Sequence, residues 1–215
     1  MLQLVAVTIS NMSDLDKLIN LFESFPGIGA RQARRFAFHV LTMSDGDNAE
    51  LAKLITSIKN SVTECESCHR FFSRYQTETL CSICSSSNRD HSRLLVVERD
   101  SDIQAMERAG VYDGLYFVLG GTVPLLNSKD TEKLRAGALK ATVETRLKNG
   151  LEEVILGFSV NPDGENTTRF IESIIEPLLE ASGKKISHLG RGLSTGSELE
   201  YADADTLKNA LRNRY

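Results

Sequence analysis

The apolar positions of this chain fall into helical stripes in its first part and into alternating strands and helices in its second. Leu15, Leu18, Ile19, Phe22 and Phe25 recur at helical spacing behind a Ser13/Asp16 capping pair, which predicts a helix starting there. Pro26-Gly27-Ile28-Gly29 breaks it, because proline cannot continue a helix and the two glycines permit a tight turn. A second helix carries Ala33, Phe36, Ala37, Val40 and Leu41 on one face. Ser44 to Asn48 reads as a polar turn, and a third helix carries Leu51, Leu54, Ile55, Ile58 and Val62.

Beyond a cysteine-bearing segment and the loop Ser85 to Asn88, the period changes. Leu94 to Val97 is a β-branched run ending at Glu98, followed by a helix from Ser101 to Ala109 and a strand from Leu115 to Leu119. Gly120-Gly121 closes that strand, and a long helix from about Thr131 to Lys148 leads to a strand at Val154 to Phe158. The acidic loop Asn161 to Asn166 then opens a helix running through Leu179, and Lys185 to Leu189 is a further strand. Strands interleaved with helices of this length predict an α/β fold with a mostly parallel sheet. The parts are an N-terminal extension (1–12), a helical region (13–62), a four-cysteine module (63–90), an α/β domain (91–190) and a C-terminal helical segment (191–215).

Composition adds limits. The 215 residues are 41% hydrophobic and 25% charged, an ordinary globular balance. No run of about 18 apolar residues exists to span a membrane. The opening MLQLVAVTISNMSD lacks the positive flank of a signal peptide, so the expected compartment is the reducing cytoplasm. A net charge of −4 excludes a uniformly basic coat but leaves room for a local basic face.

Three segments carry chemistry. Cys65, Cys68, Cys81 and Cys84, the only cysteines, are spaced C-x2-C-x12-C-x2-C in CESCHRFFSRYQTETLCSIC. Two CxxC turns facing each other complete a tetrahedron around zinc, and four thiolates close its coordination sphere to catalysis. His69 competes in principle as a ligand but is expected outside the set, and Arg70, Phe71, Phe72, Arg74 and Tyr75 fill the intervening loop. Phe25-Pro26-Gly27-Ile28-Gly29-Ala30-Arg31 reads as a helix-hairpin-helix turn, in which backbone N–H groups at a helix start approach a phosphate. Arg31, Arg34 and Arg35 place three guanidinium groups there, suited to DNA backbone phosphates; an ordinary helical corner with a solvated face is the alternative. The third set is acidic: Glu98 at a strand end, Asp100 and Asp102 just after it, and Asp163 with Glu165 after a later strand. Carboxylates converging at strand ends suit Mg²⁺, whereas solvated helix-capping acids are the plainer account.

With these residues in hand, the chain resembles the RecR family of bacterial recombination mediators over nearly its whole length. FPGIGARQARRFAFHV resembles the family's hairpin, the cysteine module follows in place, and RDHSRLLVVERDSDIQAMERAGVYDGLYFVLGG resembles the first half of its Toprim domain. GRGLSTGSELEYADADTLKNAL resembles its C-terminal segment. The resemblance implies DNA binding through Arg31 and Arg35, structural zinc on the four cysteines, and Glu98, Asp163 and Glu165 on the acidic Toprim positions. It implies a ring-like tetramer that surrounds gapped, single- or double-stranded DNA and acts with RecO, and in many bacteria RecF, to help load RecA. Two departures stand out. Ser159-Val160 lies where the family carries Asn-Pro, so that Asn161-Pro162 abuts Asp163-Gly164-Glu165, and Thr122 to Glu132 is divergent. The expected function is a non-enzymatic DNA-binding clamp; the alternative is a Mg²⁺-dependent Toprim nuclease, with Lys185 or His188 as candidate base.

Overall fold

The computed structural model describes residues 12–74, 77–125, 134–190, 192–193, 196 and 198–213. The N-terminal extension up to residue 11, Tyr75 and the expected helix start at Thr131 lie outside them. The chain divides into two compact units, with the break after Ser61.

The first unit is helical: α1 (Asp14–Glu23), α2 (Ala30–Thr42) and α3 (Asp45–Ser61). The Ser13 hydroxyl accepts from the Asp16 N–H at 3.2 Å and donates to the Asp16 carboxylate at 2.6 Å, capping α1 as the sequence predicts. Gly27 takes φ +77°, the left-handed value its turn requires, and Phe22 packs edge-on against Phe25 and Phe36 across that corner. One expectation is corrected here. Ser44 to Asn48 is no turn: Ser44 accepts from the Asp47 N–H at 3.2 Å, so the helix begins at Asp45. Val62 leaves the α3 stripe and opens a strand.

In the second unit, β1 (Val62–Glu64) and β2 (Phe71–Ser73) form an antiparallel pair around the first cysteine turn. Four parallel strands follow, β3 (Asp90–Val97), β4 (Gly114–Val118), β5 (Glu153–Gly157) and β6 (Lys185–His188), in the spatial order β4-β3-β5-β6. The crossovers are α4 (Asp100–Ala109), α5 (Ala136–Leu147) and α6 (Pro162–Ala181); a 3₁₀ turn (Leu199–Tyr201) and α7 (Ala204–Arg212) end the unit. Strand β4 is buried at every position, as a strand covered on both faces should be. Ile103, Leu139, Val143, Ile171, Ile175 and Leu179 from the helices fill the same core.

Three boundaries differ from the sequence reading. The expected loop Asn161 to Asn166 is the first turn of α6: Asn161 caps it by accepting from the Gly164 N–H at 2.8 Å, and Pro162 sits at the first helical position. Leu134 and Arg135 precede α5 as a turn. The cysteine module is not a separate body, because Cys65, Cys68, Cys81 and Ile83 belong to the core shared with Leu94 and Phe117. Among the described residues, no helix is long and apolar enough to cross a membrane.

Candidate metal centre and nucleic-acid interface

The four cysteine sulfurs lie within 4.8 Å of one another, three of the residues buried and Cys84 half-buried. Cys68 and Cys81 are 3.7 Å apart at sulfur. Tetrahedral zinc with Zn–S bonds of about 2.3 Å requires sulfurs about 3.8 Å apart, so the donor set fits that ion. Hydrogen bonds from Cys68, then Cys81 and Cys84, draw Cys65 towards the thiolate, while pairing with Cys65 holds Cys68 up as the protonated partner. A cation among the sulfurs removes that competition by deprotonating all four.

Backbone geometry builds the two turns. Cys65 N–H donates to the Arg70 carbonyl and His69 N–H to the Cys65 carbonyl, both at 2.9 Å, with His69 itself at φ +61°. In the second turn Ser85 N–H donates to the Cys81 carbonyl at 3.0 Å, and Cys81 N–H points at the Cys65 sulfur at 3.4 Å. His69 stands outside the sulfur set. Its Nδ1 lies 2.6 Å from Glu64 Oε1, and its ring meets Phe117 edge-on at 5.0 Å.

Several residues that tie this module to the sheet escape sequence reasoning. Arg135 reaches Glu64 at 3.2 Å and donates to the Val118 carbonyl at 3.2 Å. Burial would raise the Glu64 carboxyl, but the His69 hydrogen bond and Arg135 outweigh it and hold it below the usual range. Arg146 donates to the Ser67 hydroxyl at 2.9 Å, and the Val118 N–H donates to the Cys68 carbonyl at 2.8 Å. Nothing local announces these pairs, since Arg146 and Ser67 are 79 positions apart.

In the helical unit, α2 starts at Gly29 without a side-chain cap and carries no acidic residue in its first turn. Its positive end is therefore unmatched from within the helix. A Cβ built on Gly27 or Gly29 would meet nothing within 4 Å, so the backbone there is open to approach. Arg31, Arg34 and Arg35 are all exposed, and Arg35 makes one long hydrogen bond to Gln32 at 3.4 Å. Arg34 and Arg35 border a cleft of about 630 Å³ that also exposes Phe36 and Phe38.

The acidic residues are placed differently. Glu98 is 7% exposed and accepts from the Ser159 N–H at 2.6 Å, joining the ends of β3 and β5 where the strand order reverses. Asp102 caps α4 by accepting from the Arg99 N–H at 2.8 Å, and Asp100 accepts from the Phe71 N–H at 2.6 Å. Asp163 accepts from the Leu125 N–H at 3.0 Å, and Glu165 lies 3.9 Å from Arg169. Lys185 pairs with Glu153 and His188 with Glu172. Among the described residues, the cysteines are the one group of three or more His, Cys, Asp or Glu side chains poised to share an ion. The carboxylates act as loop and helix clasps.

Comparison with known proteins agrees with this arrangement. Residues 15–59 match the RecR helix-hairpin-helix family, 92–190 the Toprim domain and 192–215 the RecR C-terminal family. The chain is 37% identical to the recombination protein RecR of Streptococcus thermophilus, over 92% of its own length and 94% of that protein's. It is 39% identical to RecR of Staphylococcus aureus, over 93% and 96%, and 35% identical to that of Lactobacillus acidophilus, over 92% and 94%.

Proposed function

Because the chain belongs to the RecR family, we propose that it is a non-enzymatic mediator of recombinational DNA repair that grips DNA through the hairpin of its helical unit. The observation that carries this reading is the uncapped, acid-free start of α2 beside exposed Arg31, Arg34 and Arg35. Backbone amides and guanidinium groups at such a terminus bind phosphates without selecting sequence, which suits a protein that works at any gap. The four cysteines hold zinc, whose role is to cross-link the two turns. The protein acts in the cytoplasm as a ring-like tetramer on gapped, single- and double-stranded DNA, with RecO and RecF, to assist RecA loading. The exposed apolar face of α3 (Leu54, Ile55 and Ile58) supports association of copies.

The test measures binding to gapped and single-stranded DNA for wild type and an Arg31→Ala/Arg35→Ala pair, with strand cleavage assayed in Mg²⁺. Loss of two phosphate contacts should lower affinity at least tenfold and flatten the salt dependence by about 1.4 log units per decade on single strands. Unchanged affinity in the pair would sink the hairpin assignment. Mg²⁺-dependent cleavage abolished by Glu98→Ala would replace the mediator with a Toprim nuclease.

A further inference from the structure

The second unit holds a cleft of about 550 Å³ between the first cysteine turn and the C-terminal end of α5, lined by Ser67, His91, Thr142, Thr145, Arg146 and Asn149, with Ala141. It belongs neither to the hairpin nor to the acidic strand ends. His91 is the second residue of β3 and Glu98 follows its last, so the cleft lies at the opposite end of the parallel sheet from Glu98.

Its chemistry is one-sided. In a chain of net charge −4, the wall contains no carboxylate. It offers a guanidinium, an imidazole, three hydroxyls and an amide. Among the described residues, no carboxylate pairs with Arg146; its one side-chain bond is the 2.9 Å contact to Ser67, which holds the guanidinium in the cleft wall. A guanidinium carries five donors in a rigid fork, so one bond to a hydroxyl leaves most of them available to an oxyanion. The C-terminal carbonyls of α5 repel an anion, and Arg146 in the last turn offsets them.

We propose that this cleft is a second nucleic-acid subsite, which seats one nucleotide of single-stranded DNA with its backbone phosphate on Arg146. The volume suits one nucleotide, which a flexible single strand can insert, whereas a duplex holds its nucleotides stacked and paired and can offer the cleft only its outer backbone. The hydroxyls and amide around Arg146 hydrogen-bond to phosphate and sugar without base selection, and the exposed His91 in the same wall adds a donor. The inference rests on the reading of the chain as a DNA-binding protein but not on the hairpin.

The test uses the full-length, zinc-loaded protein and fluorescence anisotropy with labelled oligo(dT) and a labelled duplex across a salt series. Arg146→Gln should weaken oligo(dT) binding roughly tenfold, the loss of one charge-assisted phosphate contact. It should also reduce the log–log salt slope by about 0.7, with duplex affinity changed less than twofold. His91→Gln, which leaves the Arg146–Ser67 bond in place, should weaken oligo(dT) binding in the same sense, so a folding defect in the first variant cannot mimic the result. Lowered melting temperature in Arg146→Gln with unchanged oligo(dT) affinity in both variants would overturn the proposal and leave Arg146 a fastener. Binding of inorganic phosphate or a nucleoside monophosphate that depends on Arg146, without any effect on oligo(dT), would also overturn it in favour of a free-nucleotide site. Loss of binding in Arg31→Ala/Arg35→Ala alone would sink this subsite and spare the hairpin. Loss in Arg146→Gln and His91→Gln alone would do the reverse.

Discussion

In the α/β unit the strands and the helices packed on them bury large apolar side chains, Tyr116, Phe117, Leu139 and Ile171 all at 0% exposure, while exposed ones such as Val111, Leu125 and Val160 lie in connecting segments. Among the described residues of the helical unit the buried side chains are two alanines, Ala33 and Ala37, while Phe38, Leu41, Leu54 and Ile55 are each more than half exposed. The α/β unit thus carries its own core and adds the cysteine turns to it. The helical unit has apolar stripes at the right spacing but little to bury them against, and a unit of its size is marginal on size alone. One region is finished by folding; the other, on our reading, is finished by assembly.

Metal removal should separate the two most sharply. Because three of the cysteines are part of the α/β core, stripping zinc with a strong chelator, or Cys81→Ser, should cost that unit on the order of 10 kcal/mol. Hydrogen exchange should rise across 62–190 and stay near its starting level across α1–α3. Uniform loss of protection in both units would break the contrast, and zinc-free native protein by metal analysis would refute the metal itself.

Truncation comes next. Leu139→Ala, at a fully buried position, should destabilise the α/β unit by about 2–5 kcal/mol. Leu54→Ala, 57% exposed, should cost less than about 0.5 kcal/mol in dilute solution. Ile55→Asp should shift the mass measured by light scattering towards a smaller species at micromolar concentration. Equal costs for the two leucines would show that the helical unit has a hidden core.

A smaller effect is expected at the start of α3, where Ser44→Ala should remove about 1 kcal/mol from the helical unit. The smallest lies at Asp90. The Ser92 hydroxyl, then Arg93, hold its carboxyl down to about 2, against an ordinary 3.8. A folded-state value below the unfolded one gives stability that is present above about pH 3.8 and is lost as pH falls towards 2. Asp90 is partly exposed, so the contribution is under about 1 kcal/mol. Asp90→Asn should flatten the acid limb of the α/β unit in that window and leave the helical unit unchanged.

What could be read from the sequence was whatever has a local cause. Ser13 with Asp16, the Pro26–Gly29 break and the paired cysteines each act over a few residues, and each appears where expected. Helix α6 is also legible, and its start differs only in that residues 161–166 are its cap and first turn rather than a loop before it. Asn161-Pro162 is a cap followed by a first-turn proline, and Asp163 and Glu165 behind it are the first-turn acids such a helix start favours. Gly164 hints at the same fact, since a Cβ there would lie 1.9 Å from the Ser159 carbonyl oxygen. The bonds from Arg135 and Arg146 to the cysteine module could not be read. They span 71 and 79 positions, and only the closed fold brings those residues together.

Among the described residues β4 is an edge strand, buried at every position, and an uncovered edge of that kind templates the addition of foreign strands. The Cys68 carbonyl takes the Val118 N–H that would otherwise face outward, so the first cysteine turn shields that end of the edge. On the proposal that the cysteines hold zinc, the ion that braces this turn also keeps that end of the edge covered. Protein stripped of that ion should therefore associate edge to edge more readily, a consequence felt between molecules rather than within one.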